Sequence, residues 1–378
     1  MQDAFARALE VWPLRGIPDN PAAWLMTTAR NRALDLLRRE RMARAAEPEL
    51  ERLASEWTSA TIDQAFAEHT IRDELLRMMF SCSDPLLPER VQVALILNIL
   101  CGFGANEIAS AFLTGRAAME KRIARGKQAL ARSRALFDLA DAEFPARLAA
   151  VKRALYLLFN EGYHGASPDA AVRVDLCQEA LRLIRLLRAY PPAATPETSA
   201  LAALMCLHAA RLPARLDPGG DLTPLADQDR SRWDTRLVAE GLAYLEQSAQ
   251  GVEVSAYHIE AAIAATHAGA ASVAETDWAA IVALYDRLMT IAPSPVVALN
   301  RAIAIGQRDG AAEGLAALHA ITDRERLDHY PFYPAALGDF ELRLGNRSAA
   351  HAHFTAALTV ARNTAERRFL KQRISDSH

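Results

Sequence analysis

The sequence predicts an all-α protein, and three observations support this. The strong helix formers Ala, Leu, Arg and Glu dominate the chain, and apolar residues recur every three or four positions. Alternating β-branched runs bounded by turns are almost absent. We therefore expect helices along the whole chain.

The length of 378 residues, at roughly 100–200 residues per domain, predicts about two or three domains. Hydrophobic residues make up 51% of the chain and charged residues 24%, as in an ordinary globular protein with a sizeable core. The formal net charge of −3 excludes binding of a polyanion through overall charge. A basic domain can still be balanced by an acidic one.

Membrane insertion, secretion and metal binding are not predicted. The N-terminal residues carry Asp and Arg where a signal peptide needs an apolar run. The longest apolar run, residues 91–103, is too short to span a bilayer. The cysteines have no CxxC spacing and are expected to be buried thiols: Cys82, Cys101, Cys177 and Cys206. We expect a cytoplasmic protein with no metal site and no membrane partner.

Four segments are distinguished by composition. Residues 1–46 hold two helical stretches around a Pro- and Gly-rich turn at 13–21. Residues 47–66 are polar and resemble a linker. Residues 67–135 form a compact helical unit that ends in a basic helix, and residues 136–378 form a long helical array rich in Ala and Leu.

Residues 105–130 give the clearest local signal. We expect a short first helix that faces inward through Ile108, Ala109 and Phe112. A tight turn at 113–115 follows, in which Gly115 is free to take a positive φ. The second helix has one apolar face, formed by Met119, Ile123 and Leu130. This is the pattern of a helix-turn-helix whose second helix enters the major groove of DNA.

The exposed face of this second helix is basic. Bases are read by the N-terminal end of such a helix, so the base-contact candidates are Arg116, Glu120 and Lys121. Basic residues beyond that end flank the groove, so the phosphate-contact candidates are Arg122, Arg125 and Lys127. The alternative is a solvated basic helix that packs on a bundle and contacts no DNA.

A second basic helix is predicted over residues 21–41. One stripe is apolar, and the remaining surface carries Arg and Asn side chains. Trp24, Thr27 and Thr28 lie at its start, where an unstacked base can stack or form a hydrogen bond. The alternative is an ordinary amphipathic helix with a tryptophan in the core.

The C-terminal array shows internal similarity. Residues 309–318 resemble residues 345–358 at an offset of about 40 residues, near the repeat length of helix-pair solenoids. Degenerate tetratricopeptide positions occur at Trp278, Tyr285, Pro293, Tyr333, Ala336 and Gly345. Stacked helix pairs of this kind predict a scaffold that binds a protein partner. A helical bundle rich in Ala and Leu is the alternative.

The array carries no constellation typical of an enzyme. Its histidines are scattered without an HExxH motif, and residues 217–221 are a turn rather than a phosphate-binding loop. We therefore expect no catalytic activity and no cofactor. The most polar and aromatic stretch, residues 227–234, leaves two interpretations open: a structural ion-pair network, or a site for a ligand or partner.

These segments together resemble a known family. Residues 2–39 resemble region 2 of extracytoplasmic-function sigma factors, and residues 70–134 resemble their region 4. Three further stretches are similar to the subgroup with a C-terminal tetratricopeptide-like extension; they are residues 157–163, 227–234 and 293–302. Relatives begin with a further helix before the position of Asp3, so region 2 is expected to be partial here.

The resemblance implies an alternative sigma factor that directs core RNA polymerase to specific promoters. Contact with the clamp of the largest polymerase subunit would fall to Phe5, Ala8, Leu9 and Trp12, and the polymerase flap is the second expected contact. The melted −10 strand would be held by the loop at 14–20 and by Trp24, Thr27, Thr28, Arg30, Asn31, Arg38 and Arg39. The helix that begins at Arg116 would read the −35 duplex.

A second function stays open at this point. The chain could be a helical-repeat scaffold for protein interactions whose sigma-like N-terminal part is degenerate and does not initiate transcription. The leading interpretation instead treats the C-terminal extension as a fused regulatory or scaffold domain of a sigma factor.

Overall fold

The computed structural model describes residues 73–132, 144–165, 170, 172–217 and 219–378. The described residues divide into two compact units. The first comprises 73–108, 120–132 and 144–151, and the second comprises 109–119 together with the described residues from 152 to 378.

The described residues form fifteen α-helices, so the all-α prediction is confirmed for them. The helices are α1 (Glu74–Ser81), α2 (Glu89–Ile99), α3 (Ala105–Ala111), α4 (Arg116–Arg132), α5 (Phe144–His164), α6 (Val174–Ala189), α7 (Pro196–Ala209), α8 (Thr235–Ser248), α9 (Ala256–Gly269), α10 (Trp278–Ile291), α11 (Pro295–Arg308), α12 (Ala311–His319), α13 (Phe332–Arg343), α14 (Arg347–Thr359) and α15 (Thr364–Asp376). The described part has no β-strand, only an isolated antiparallel bridge between Leu216 and Leu222. None of these helices is both long and apolar enough to cross a membrane.

Helix α2 is the central element of the first unit. Residues 92–97 are all buried, so α2 is covered on every side rather than along one stripe. The side chain of Gln92 is satisfied inside this core, because its Nε2 donates a 2.7 Å hydrogen bond to the carbonyl oxygen of Leu87. Helix α1 begins at a cap in which Oδ1 of Asp73 accepts a hydrogen bond from the backbone N–H of Leu76.

Two close contacts complete this unit. A Cβ atom at Gly126 of α4 would lie 2.7 Å from Cγ1 of Val91, so only glycine allows α4 to approach α2 this closely. Phe144 at the start of α5 stacks on Phe80, with ring centroids 5.2 Å apart. The buried Arg147 donates from Nη1 to the carbonyl oxygen of Phe80 at 3.1 Å. The first turns of α5 therefore belong to the core of the first unit.

In the second unit, α7 has the central position. Its residues 198–207 are all buried, and it packs mainly against α8 and α9. A run of apolar residues without polar interruption produces a helix of this kind, because every side of it must be covered. Thr195 caps α7 through a 3.1 Å hydrogen bond from the N–H of Thr198 to its Oγ1.

From α10 to α15, each helix packs mainly against its neighbours in sequence. Three apolar clusters follow this order. The first joins α9, α10 and α11 around Ile263 and Ile281, and the second joins α11, α12 and α13 around Leu318 and Phe340. The third lies around Phe354 in α14. The core of this part is therefore built from neighbours in sequence.

Phe340 marks the closest approach within this series. A Cβ atom at Gly314 of α12 would lie 2.6 Å from Cζ of Phe340 and 2.7 Å from Cα of Gly306 in α11. The two glycines thus provide the space that the phenyl ring of α13 fills.

The last helix of the series contacts the end of α5. Nδ2 of Asn363, the residue that caps α15, donates a 3.3 Å hydrogen bond to the carbonyl oxygen of Gly165. Nη2 of Arg362 donates to the carbonyl oxygen of His164 at 3.4 Å. These partners are 198 residues apart in sequence, so the start of α15 is bonded to the end of α5.

The cysteines are thiols that form no disulfide, and three of the four are buried as the sequence predicts. Burial raises the pKa of Cys82, Cys177 and Cys206 to about 12, so these thiols are protonated at neutral pH. Cys101 is half-buried.

Candidate functional site

The helix predicted to read DNA is α4. Its apolar residues Met119, Ile123 and Leu130 are buried, as the sequence predicts. Arg122 is half-buried. The other charged candidates on α4 are exposed, namely Arg116, Glu120, Lys121, Arg125 and Lys127. The face of α4 that is free of core contacts is therefore mainly cationic.

The turn before α4 differs from the prediction in where the chain takes a positive φ. The positive φ of 47° falls at Leu113, and Gly115 has no positive φ. The N–H of Thr114 donates to the carbonyl oxygen of Ala109 at 3.0 Å, and the N–H of Leu113 donates to Ser110 at 3.2 Å. These two hydrogen bonds form a Schellman motif that ends α3. The left-handed residue is therefore set by the end of α3 and not by the start of α4.

The residues predicted to bind polymerase and the −10 strand lie within 1–72, outside the residues that the structure describes. They are Phe5, Ala8, Leu9 and Trp12 for polymerase, and Trp24, Thr27, Thr28, Arg30, Asn31, Arg38 and Arg39 for DNA. These assignments remain predictions.

In the described part of the chain, no ion pair involves the polar stretch at 227–234, and two of its carboxylates accept short-range hydrogen bonds instead. Oδ1 of Asp229 accepts hydrogen bonds from the backbone N–H and the hydroxyl of Ser231, at 2.9 and 2.6 Å. Oδ1 of Asp234 caps α8 by accepting from the N–H of Arg236 at 2.9 Å. Short Asp side chains reach the backbone a few residues onward before they reach a guanidinium group.

Arginines and aromatic rings from separate segments meet near this stretch; we call Arg211, Arg215, Arg230, Tyr163 and Trp233 the arginine cluster. The Cζ atoms of Arg215 and Arg211 lie 4.6 and 5.9 Å from the ring centroid of Tyr163. Those of Arg230 and Arg211 lie 5.1 and 5.4 Å from that of Trp233. Arg211 therefore adjoins both rings and links the other two arginines.

Arg230 has a structural role in this cluster. Its Nη1 donates to the carbonyl oxygens of His267 and Ala270 at 2.7 and 2.6 Å, and its Nη2 donates to Oγ1 of Thr276 at 3.1 Å. The guanidinium group thus joins the end of α9 to the segment that precedes α10.

The positive charges hold the nearby imidazoles neutral. Burial, and then the charge of Arg211, lower the pKa of His208 to about 3 and that of His267 to about 4. The pKa of His164 is well below its ordinary value, because the surrounding protein limits its hydration and Arg215 is cationic. His164 itself is exposed.

A cavity of about 1080 Å³ lies beside the arginine cluster in the second unit. Aromatic side chains form much of its wall, among them Trp278, Phe332, Phe340 and Phe354. The ring of Phe332 is 6.3 Å from that of His164, and the ring of Trp278 is 5.3 Å from that of His267. Two residues of the cavity wall therefore lie next to imidazoles that neighbour the arginine cluster. No group of three or more potential metal-ligating side chains occurs among the described residues.

No pattern in the sequence singles out Arg211 or Arg215. Both lie just after α7, in a short segment where an isolated arginine beside proline gives no periodic signal. Arg230 and Trp233 lie in the polar stretch at 227–234, and Tyr163 lies in the stretch at 157–163 that resembles the sigma factor subgroup. Arg215 and Tyr163 are 52 residues apart in sequence, and local patterns do not reveal a contact of that range.

Two segments of the chain match known protein families. Residues 1–42 match the family described as sigma-70 region 2. Residues 147–249, which contain the whole arginine cluster, match a family of unknown function, DUF6596. No solved structure matches the chain.

One relative matches nearly the whole chain. The uncharacterized protein R00370 of Rhizobium meliloti (strain 1021) is 40% identical over 377 residues, which cover 99% of this chain and 88% of that protein. The similarity therefore extends through the sigma-70 region 2 match and both structural units. The chain belongs to the same family as the R00370 protein of Rhizobium meliloti.

Proposed function

We propose that the protein is an alternative sigma factor, a non-enzymatic subunit that directs core RNA polymerase to specific promoters in the cytoplasm. The observation that carries this proposal is the match of residues 1–42 to sigma-70 region 2. A segment of that kind implies contact with RNA polymerase and with promoter DNA. The predicted −10 contacts, from Trp24 to Arg39, fall inside the matched residues.

Helix α4 supports a second DNA contact, with the −35 element. It follows a short helix and a tight turn, and Arg125 and Lys127 are exposed on it. Exposed guanidinium and ammonium groups along one helix suit the phosphates on either side of a major groove. Arg116 and Lys121 lie nearer the N-terminal end, where base edges would be read.

In this proposal the second unit is a fused extension of the tetratricopeptide-like kind, in an extracytoplasmic-function sigma factor. The helix-by-helix packing from α10 to α15 supports a repeat scaffold. The extension would regulate the factor or bind a partner protein next to polymerase.

Run-off transcription with purified core polymerase tests the proposal. The template is the promoter region upstream of the protein's own gene, and the full chain is compared with R125A/K127A and with Q128A. Gln128 is an exposed neutral residue on α4, so Q128A is the matched control. We expect a specific transcript with the wild type and Q128A, and much less with R125A/K127A.

Absence of both a transcript and a stable complex with core polymerase would contradict the proposal. That outcome would favour a helical-repeat scaffold whose sigma-like N-terminal part does not initiate transcription. A transcript of equal yield from all three proteins would retain the sigma factor but remove α4 from promoter binding.

A further inference from the structure

We propose that Arg211 and Arg215 form a binding site for a small phosphorylated molecule, at the end of α5 in the second unit. Both guanidinium groups adjoin the ring of Tyr163, and His164 adjoins Arg215. The proposal goes beyond the proposed function, because it concerns the extension alone and needs neither polymerase nor DNA.

Positive charge is concentrated here, and the described residues neutralise little of it through ion pairs. In the described part of the chain, no ion pair involves Arg211, Arg215 or Arg230. The acidic residues that follow closely in sequence are engaged elsewhere, since Asp221 pairs with Arg368 and Oδ1 of Asp217 accepts the N–H of Asp221. The three guanidinium groups lie near the rings of Tyr163 and Trp233. They repel one another unless an anion binds beside them.

The hydrogen-bonding groups of the two arginines are only partly used. Nη2 of Arg215 donates to the carbonyl oxygen of Tyr163 at 3.1 Å and lies 3.3 Å from Nδ1 of His164, which places it at the carbonyl end of α5. Its Nε has no partner among the described residues. Nε of Arg211 donates to Oε1 of Gln228 at 3.3 Å, and its terminal nitrogens make no hydrogen bond with described residues.

Three aromatic residues of the same region are also unsatisfied. The hydroxyl of Tyr163, Nε1 of Trp233 and Nδ1 of His208 are buried and lack a hydrogen-bond partner in the described residues. Tyr163 is 2% exposed, so water in the surrounding solvent does not satisfy its hydroxyl. Unsatisfied polar groups beside guanidinium groups can form hydrogen bonds with an anion that binds there.

The chemistry favours a phosphate group over a carboxylate. Two guanidinium groups balance the charge of about −1.5 to −2 on a phosphate monoester, whereas a carboxylate supplies only one negative charge. The planar fork of arginine suits the several acceptor oxygens of phosphate. Arg211 and Arg215 are half-buried rather than fully enclosed, so an anion can reach their outer nitrogens.

Isothermal titration calorimetry on the full-length chain tests this, with inorganic phosphate and pyrophosphate as probes at ionic strength fixed by NaCl. The variants are R211Q and R215Q, and R236Q is the control because Arg236 is an exposed arginine on α8. We expect saturable binding by the wild type and R236Q. We expect the Kd to rise at least about tenfold in R211Q and R215Q, as for the loss of a charge-assisted hydrogen bond.

If R215Q does not fold, R211Q is the decisive variant, because the side chain of Arg211 makes one hydrogen bond with the described residues. The proposal is overturned if neither probe binds, or if R211Q binds both probes as tightly as the wild type. A single-stranded oligonucleotide that binds through Arg211 while both probes do not would also overturn it, in favour of nucleic acid.

Discussion

The hydroxyl of Tyr156 in α5 donates a 3.0 Å hydrogen bond to Oε2 of Glu260 in α9. Burial raises the pKa of the Glu260 carboxyl from 4.5 to about 7, although the hydrogen bond from Tyr156 acts in the opposite direction. The contact joins two helices of the second unit, and its strength depends on a carboxyl group that titrates near neutral pH.

Glu260 is expected to make the free energy of unfolding fall as pH rises. Between pH 4.5 and about 7 the unfolded chain has lost the Glu260 proton while the folded chain retains it. The folded state is therefore penalised progressively through this window, by at most about 3 kcal/mol above it. In E260Q this part of the decline is expected to be absent, since Gln can still accept the hydrogen bond from Tyr156.

Urea denaturation from pH 5 to pH 8 measures this effect. The control is E253Q, which removes an exposed carboxylate of the same unit and should follow the wild type. Parallel pH profiles for the wild type and E260Q would show that Glu260 is not held protonated.

Gly314→Ala is expected to destabilise the second unit by about 1–3 kcal/mol. The added methyl group would overlap Phe340 and the backbone of Gly306, and neither can move without disturbing the apolar cluster around α11, α12 and α13. Gly269→Ala is the matched control, because a Cβ atom there meets nothing within 4 Å. Equal midpoints of urea unfolding for the two variants would contradict this account of the packing.

Loss of a basic side chain from α4 should weaken promoter binding at every sequence. Arg125→Ala is expected to reduce the salt dependence of the holoenzyme's affinity by about one unit of slope, as for one lost phosphate contact. Binding measured across a range of NaCl concentrations tests this, with Gln128→Ala as the control. An unchanged slope would exclude Arg125 from the phosphate contacts.

The N-terminal end of α4 should control sequence preference. Arg116→Ala or Lys121→Ala is expected to change discrimination at the −35 element by roughly 1–3 kcal/mol per lost base contact. Selection from a randomised −35 library, read by sequencing, measures the preference. A uniform loss of affinity with the same preferred sequence would instead assign these side chains to phosphates.

Thiol chemistry should separate one cysteine from the other three. Cys82, Cys177 and Cys206 are buried with pKa values of about 12, so almost none of their thiolate forms at pH 8. Iodoacetamide is expected to modify Cys101 first in the native protein and the others only in urea. Peptide mass spectrometry gives the rates, and equal native rates at all four positions would contradict the observed burial.

The helices of this protein can be predicted well from the sequence, because the apolar spacing that indicates a helix involves residues close together in the chain. The apolar spacing of Met119, Ile123 and Leu130 predicts the buried face of α4, and all three are buried. The backbone detail of the turn was predicted less well. Composition pointed to Gly115 for the positive φ, whereas the hydrogen bonds that end α3 require it at Leu113.

The candidate ligand site could not be predicted in the same way. Tyr163, Arg211 and Trp233 meet only after α5, α7 and the segment before α8 have packed together. The composition of the polar stretch at 227–234 indicates either ion pairs or a binding site, and it does not predict that Asp229 and Asp234 accept short-range hydrogen bonds from the backbone. Periodicity describes one helix at a time, so it does not report which charges are left without a partner.

The hydrogen bonds of Asn363 and Arg362 to the end of α5 have a consequence for unfolding. An open stack of helix pairs frays from its terminus, one repeat after another, because the last repeat has a neighbour on one side only. Here the start of α15 is also hydrogen-bonded to the end of α5, 198 residues away. Detaching α15 therefore breaks these hydrogen bonds as well as its packing against α14. The second unit should therefore melt in one cooperative step, and its C-terminal segment should resist proteases for as long as the remainder stays folded.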